Sequence, residues 1–200
     1  MVNDIRNVIA FQGVIERSLR EKFLAQRSKV FWLTGLSGAG KSTIAHGLEE
    51  LLFAEGRFAY VFDGDNIRHG LCRDLGFSQE DRKENIRRIA EMLRLFLDAG
   101  IICIAAFISP LKKDREMVRE IIGSDNFIEI FISCSLAVCE QRDIKGFYKL
   151  ARAGTIKNYT GVSSPYEPPS FPDLIIETDK TNIKDSILQV YNIAKQQCFF

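Results

Sequence analysis

Two hundred residues with 27 Lys and Arg against 26 Asp and Glu fit a single compact domain, 1–200, large enough to bury its own core. A composition of 46% hydrophobic, 10% aromatic and 26% charged residues excludes disordered, collagen-like and coiled-coil classes. The balanced charge provides no global field for a nucleic-acid polymer or an anionic membrane, so an anionic ligand must be held by a local site.

The N-terminal apolar stretch Val8 to Phe11 breaks at Gln12 and follows Asp4 and Arg6, too short for a signal-peptide core. Nowhere do 18 apolar residues run together, so nothing is expected to span a bilayer. Five cysteines (Cys72, Cys103, Cys134, Cys139 and Cys198) form no C-x-x-C pair. Three of them lie in or beside apolar runs, as small buried hydrophobes do, which points to a reducing cytoplasmic location.

An N-terminal segment over 1–29 contains Ile15, Leu19 and Phe23 spaced four apart, predicting an amphipathic helix that packs on the domain. Apolar runs at Val30 to Thr34, Phe58 to Phe62, Ile101 to Ile108 and Phe127 to Ile132 read as buried parallel strands. Helical patterns over Lys41 to Glu55, Glu80 to Ala99 and Lys112 to Ile122 separate them. Gly56 and Gly100 stand where left-handed cap residues are expected. Leu136 to Arg142 reads as helix, Leu174 to Ile176 as a last strand, and Ile183 to Lys195 as a closing helix begun by Asn182. This alternation predicts an α/β, doubly wound sheet of mainly parallel strands with helices on both faces and ligands at the carboxyl ends of the strands. Between Asp143 and Pro172 the chain is basic and rich in Gly and Pro without a clear strand, which predicts a functional lid over 143–172.

The strongest motif is Gly35-Leu36-Ser37-Gly38-Ala39-Gly40-Lys41-Ser42-Thr43, a G-x-x-x-x-G-K-[ST] phosphate loop between a predicted strand and helix. Its backbone N–H groups and the helix N-terminus would cradle the phosphates of a nucleoside triphosphate. Lys41 would reach the β and γ phosphates, and Ser42 would bind Mg²⁺. Asp63-Gly64-Asp65-Asn66 follows the second strand, placing two carboxylates beside this loop. One suits the metal and the other a substrate hydroxyl, and their roles are interchangeable at this level. Arg68, Arg82 and Asn85 read as clamps for a second anionic ligand. Phe77 and Tyr159 are candidates to sandwich a purine. Lys145, Lys149, Arg152 and Lys157 are lid cations able to neutralise phosphate. Ser109 ends the third strand at the same sheet edge, either facing the transferred phosphate or capping the strand. His46 and His69 lack partners at metal-ligand spacing and are assigned structural roles.

These residues resemble the adenylylsulfate kinase (APS kinase) family across about Phe31 to Ile176. The similarity covers the phosphate loop and the block Asp63-Gly64-Asp65-Asn66-Ile67-Arg68-His69-Gly70-Leu71. It extends through Asp81-Arg82-Lys83-Glu84-Asn85-Ile86, Phe107-Ile108-Ser109-Pro110, Lys145-Gly146-Phe147-Tyr148-Lys149 and Ser164-Pro165-Tyr166-Glu167. The resemblance implies a P-loop phosphotransferase that moves the ATP γ-phosphoryl group to the 3′-hydroxyl of adenosine 5′-phosphosulfate, giving 3′-phosphoadenylyl sulfate. By position it assigns Asp65, Asn66, Ile67, Arg68, Phe77, Arg82, Asn85, Ile108, Ser109, Lys145, Asn158 and Tyr159 to the acceptor site. The serine matching Ser109 carries a phosphoserine assignment in the family, whereas direct in-line transfer is physically simpler. The resemblance also suggests a homodimer, and no fused sulfurylase domain is expected. Thr155 and Ser163 replace acidic residues usual in the family, Tyr159 stands where Phe is common, and the usual histidine-containing N-terminal stretch is missing. Other small P-loop kinases, acting on nucleoside monophosphates or gluconate, are the competing enzymes. A catalytically dead nucleotide-binding protein is the alternative class.

Overall fold

The computed structural model describes residues 13–200; the apolar stretch at Val8 to Phe11 lies outside them. Five parallel strands form one sheet in the order β2-β3-β1-β4-β5: β1 Val30–Thr34, β2 Ala59–Asp63, β3 Ile102–Ala106, β4 Phe127–Ser133 and β5 Leu174–Glu177. The fold is the expected doubly wound α/β sheet.

The central strand shows why helices cover both faces. All five residues of β1 are buried, and successive side chains point to opposite sides. Phe31 and Leu33 enter the core shared with α2 (Lys41–Ala54) and α8 (Ile183–Cys198), through Ile44, Leu48, Leu52, Val190 and Ala194. Val30 and Trp32 enter the other core, with Ile86, Ile89 and Leu93 of α4 (Gln79–Asp98) and Val118 and Ile122 of α5 (Lys112–Ile122). Each fully buried Leu or Ile side chain contributes about 1.5–3 kcal/mol, so a continuous apolar strand requires both layers.

Helix ends follow the local chemistry. The Ser78 hydroxyl accepts from the Asp81 N–H at 3.0 Å, and the Asn182 side chain accepts from the Asp185 N–H at 2.9 Å. Gly56 and Gly100 have φ of +70° and +84° just past α2 and α4, as expected.

The differences from expectation have identifiable causes. The apolar run from Ile101 outlasts its strand, because β3 ends at Ala106 and Ser109 takes φ +39°, turning the chain out of the sheet. The edge strands are not fully buried: Tyr60 of β2 is 50% exposed and Ile175 of β5 53%, since an edge strand lacks a second neighbour. The N-terminal helix α1, Arg17–Phe23, buries none of its residues, and Phe23 is 89% exposed. Polar ties fasten it instead, including Arg17 to Ser28 and Asn126 and Arg20 to Asp98. Two short helices escape periodicity: α3, Gly64–His69, and α7, Phe147–Arg152, the latter inside the predicted lid. Another short helix, α6 (Leu136–Gln141), precedes the lid as expected. Among the described residues, no helix is long and apolar enough to cross a membrane.

Candidate active site

A cavity of about 960 Å³ opens at the carboxyl ends of the strands, where a doubly wound sheet places its ligands. The β1–α2 loop forms one wall. Gly38 has φ +74°, and a Cβ there would lie 2.9 Å from the Cys139 carbonyl oxygen, so both conformation and space demand glycine. Lys41 Nζ donates to the carbonyls of Gly35 (3.0 Å) and Leu36 (2.7 Å). Burial draws its pKa down to about 8. A triphosphate would restore the lost solvation of this ammonium with charge.

At the end of β2, Asp63 performs two tasks. Its Oδ1 accepts from the Asp65 N–H at 3.0 Å, capping α3, and its Oδ2 accepts from the Ser42 hydroxyl at 2.6 Å. A hydroxyl and a carboxylate in contact on the phosphate loop are hard oxygen donors that suit Mg²⁺. Asp65 faces elsewhere: its Oδ2 forms an ion pair with Lys145 from the segment after α6, and this hydrogen bond raises the Lys145 pKa.

The residues expected to hold the acceptor converge on the same cavity. The guanidiniums of Arg68 and Arg82 lie 4.4 and 5.7 Å from the Phe77 ring centroid. Desolvation lowers both arginine pKa values. Arg82 also donates to the Asn158 carbonyl (2.9 Å) and the Thr160 hydroxyl (3.2 Å), tying α4 to the segment predicted as a lid. Asn85, in the second turn of α4, is 5% exposed, and its Oδ1 has no partner. Because Asn85 lines the cavity, a donor from a ligand would satisfy that oxygen.

Ser109 is the most constrained residue of the site. Its hydroxyl accepts from Trp32 Nε1 (3.0 Å) and donates to Thr34 Oγ1 (2.9 Å). The Thr34 hydroxyl donates in turn to the Ile108 carbonyl at 2.8 Å, with Tyr166 OH 3.0 Å away. Arg115, buried and paired with Glu129 at 2.8 Å, donates to the Ser109 carbonyl at 2.7 Å. This network holds a left-handed non-glycine residue that costs about 1–3 kcal/mol.

The expected residues therefore divide. Ser37, Gly38, Gly40, Lys41, Ser42, Thr43, Asp63, Asp65, Arg68, Phe77, Arg82, Asn85, Ile108, Ser109, Lys145 and Tyr159 line one cavity. Gly35, Leu36 and Ala39 shape the loop behind it. Ile67 packs against the core on the α4 side, Asn66 is exposed, and Asn158 offers its backbone carbonyl to Arg82. Arg152 pairs with Glu140 at 2.5 Å, so that lid cation is already neutralised, while Lys157 reaches the cavity. His46 faces Glu49 at 3.4 Å, in keeping with a structural role.

Four residues contribute beyond those the sequence singles out. Tyr148 of α7 donates its hydroxyl to the Ser37 carbonyl at 2.9 Å. The Asp143 carboxylate accepts from the N–H groups of Phe147, Tyr148 and Lys149. Thr34 and Tyr166 fix Ser109 from behind. All but the Asp143 cap are contacts between segments distant in sequence.

A parallel doubly wound sheet with a phosphate loop on its central strand, a paired serine and aspartate, and a second polar wall defines a P-loop phosphotransferase. The chain belongs to the adenylylsulphate kinase family, whose model matches residues 27–177. It is 49% identical over 197 residues to the adenylyl-sulfate kinase of Acaryochloris marina, covering 98% of this chain and 96% of that one. It is 56% identical over 168 residues to that of Geotalea daltonii, covering 84% and 83%. Among solved structures, the Mycobacterium tuberculosis APS kinase in complex with AMPPNP and APS superposes with a TM-score of 0.80 at 44% identity, covering 84% of this chain and 97% of that chain.

Proposed function

We propose that this protein transfers the γ-phosphoryl group of ATP to the 3′-hydroxyl of adenosine 5′-phosphosulfate, releasing 3′-phosphoadenylyl sulfate and ADP. The observation that carries the choice of acceptor is the wall shared by Phe77, Arg68, Arg82 and the unpartnered Asn85 oxygen. An aromatic face, two partly desolvated cations and a buried acceptor atom match a ligand that is at once a purine and an anion. Gluconate offers no ring for Phe77.

In this reading Lys41 holds the β and γ phosphates, and Ser42 with Asp63 holds Mg²⁺, which when bound neutralises charge on the phosphates. Asp65 receives or orients the proton of the acceptor hydroxyl. Lys145, paired with Asp65, brings the lid, residues 143–172, over the site. Phe77 and Tyr159 bracket the adenine. Ser109 is a positioning residue: its proton is committed to Thr34 and its oxygen to Trp32, which supports direct in-line transfer.

ADP release, measured with ATP and Mg²⁺ over a panel of acceptors, tests the function. Turnover is expected with adenosine 5′-phosphosulfate. Faster turnover with gluconate or a nucleoside monophosphate, or nucleotide binding without turnover on any acceptor, overturns it.

Ser109→Ala is expected to keep kcat within about tenfold of the parent while lowering the melting temperature, because the buried Trp32 N–H loses its acceptor at a cost of about 1–3 kcal/mol. Complete loss of turnover with intact acceptor binding would instead require a phosphoserine. The proposal includes a homodimer. Light scattering that returns the mass of one chain, 22.7 kDa, throughout the micromolar range would exclude it.

A further inference from the structure

Behind the part of the cavity wall formed by Ile108, Ser109 and Pro110 lies a buried ion pair that the proposed reaction does not touch. Arg115 of α5 and Glu129 of β4 are 3% and 8% exposed, and neither lines the cavity. Each nitrogen of the Arg115 guanidinium donates to a different part of the chain: Nε to Glu129 Oε1 at 2.8 Å, Nη1 to the Ser109 carbonyl at 2.7 Å and Nη2 to the Glu167 carbonyl at 2.8 Å.

The stretch 166–173, by which the chain returns to β5, is fastened to the same pair. The Tyr166 ring stacks on Phe131 with centroids 6.0 Å apart, lies 5.9 Å from Arg115 Cζ and sets its hydroxyl 3.0 Å from Thr34 Oγ1. The Glu167 N–H donates to the Pro110 carbonyl at 2.8 Å, and the Glu167 carboxylate accepts from the Lys112 N–H at 2.8 Å. At the far end, Asp173 Oδ2 accepts from the Glu129 N–H at 2.7 Å, and the Asp173 N–H donates to the Glu129 carbonyl at 2.9 Å.

We infer that Arg115 is a positioning residue for the acceptor: its guanidinium locks the Ile108–Pro110 turn to the stretch 166–173 and so sets the wall against which the acceptor, and not the nucleotide, is held. This rests on the acceptor reading proposed above. Ser109 has φ +39°, a conformation that persists only where its surroundings over-determine it, and a carbonyl held by a charged donor supplies that restraint. The phosphate loop has ties of its own, from Lys41 to Gly35 and Leu36 and from Thr178 to Ala39, in which Arg115 takes no part. Lysine at position 115 would keep a positive charge for Glu129, but its ammonium is a single point and cannot span three acceptors set around a planar fork.

The test compares the parent with Arg115→Lys and with the double variant Arg115→Met/Glu129→Gln, which removes both charges together and leaves neither partner of the pair buried and charged alone. Both variants are expected to raise KM for adenosine 5′-phosphosulfate about tenfold, equivalent to about 1.4 kcal/mol, with KM for ATP at the parent value. A merely structural role would lower the folded fraction, and with it kcat, and leave both KM values in place. Hydrogen exchange at the Glu167 and Lys112 amides, which bond across the turn, reports the lock without substrate and is expected to accelerate in both variants. An acceptor KM that stays at the parent value in either folded variant, an equal rise in both KM values, or amides that exchange as in the parent would overturn the inference. A parent protein that does not turn over adenosine 5′-phosphosulfate would overturn the acceptor reading and the proposed effect on KM, whereas the tie between the turn and the stretch 166–173 is read by exchange alone.

Discussion

Lys41→Met should lower kcat by at least about 10²–10³-fold while making the ligand-free protein slightly more stable at neutral pH. The two effects share one cause. The Lys41 ammonium is buried, and desolvation brings its pKa from 10.5 to about 8, so carrying its charge at neutral pH opposes folding by about 3 kcal/mol. Its hydrogen bonds to the Gly35 and Leu36 carbonyls return about 1 kcal/mol each. Removing the amine then leaves a net gain of about 1 kcal/mol, or about 2–4 °C in Tm for a chain of this size. The folded pKa is depressed, so the cost is fully present below about pH 8 and fades as pH rises toward the unfolded value of 10.5. The parent should therefore gain stability over that window relative to Lys41→Met. A triphosphate reverses the depression, so nucleotide binding between about pH 8 and 10 should take up a proton. Calorimetry in buffers of different ionisation enthalpy reads this uptake. A melting temperature that falls on substitution, or an enthalpy independent of buffer, would contradict the account.

Residues 35–43 were legible because their spacing, between a five-residue apolar run and a helical pattern, specifies a conformation as well as a composition. The strands of the sheet interior were legible for a related reason: burial on both faces forces continuous hydrophobicity, seen at Val30 to Thr34 and Phe127 to Ile132. Local pattern failed where energy comes from distant contacts. Ser109 admits two roles in the sequence, and the hydrogen bonds that bear on them, from Trp32 and to Thr34, come from residues more than 70 positions away. The same holds for Tyr148 and Ser37, 111 residues apart. Short helices such as α3 and α7, six residues each, complete too few turns for periodicity to register. The cap that Asp143 provides for α7 was written locally, and the Gly- and Pro-rich composition around it concealed it. Arg152 shows the opposite failure, a basic residue in a functional segment whose charge is spent on Glu140.

Asp63→Asn and Asp65→Asn should both lower turnover at low Mg²⁺, and excess Mg²⁺ should rescue only the first. In Asp63→Asn the new side chain would keep the oxygen that caps the Asp65 N–H, while its amide would replace the Oδ2 that accepts from Ser42 at 2.6 Å. One hard anionic donor is then lost from the metal site and the local fold is retained, a change that raises the Mg²⁺ concentration for half-maximal rate. Asp65 has no contact with Ser42; its carboxylate pairs with Lys145. Asparagine there can accept a hydrogen bond but cannot take a proton from the acceptor hydroxyl, so kcat should fall by about 10²–10⁴-fold at any Mg²⁺ concentration. The Lys145 pKa, raised chiefly by its hydrogen bond to Asp65, should fall back toward its ordinary value, and the lid should lose its tie to the site. KM for adenosine 5′-phosphosulfate should accordingly rise in Asp65→Asn and stay near the parent value in Asp63→Asn. Rescue of Asp65→Asn alone would exchange the two roles, and equal rescue of both would place both carboxylates on the metal.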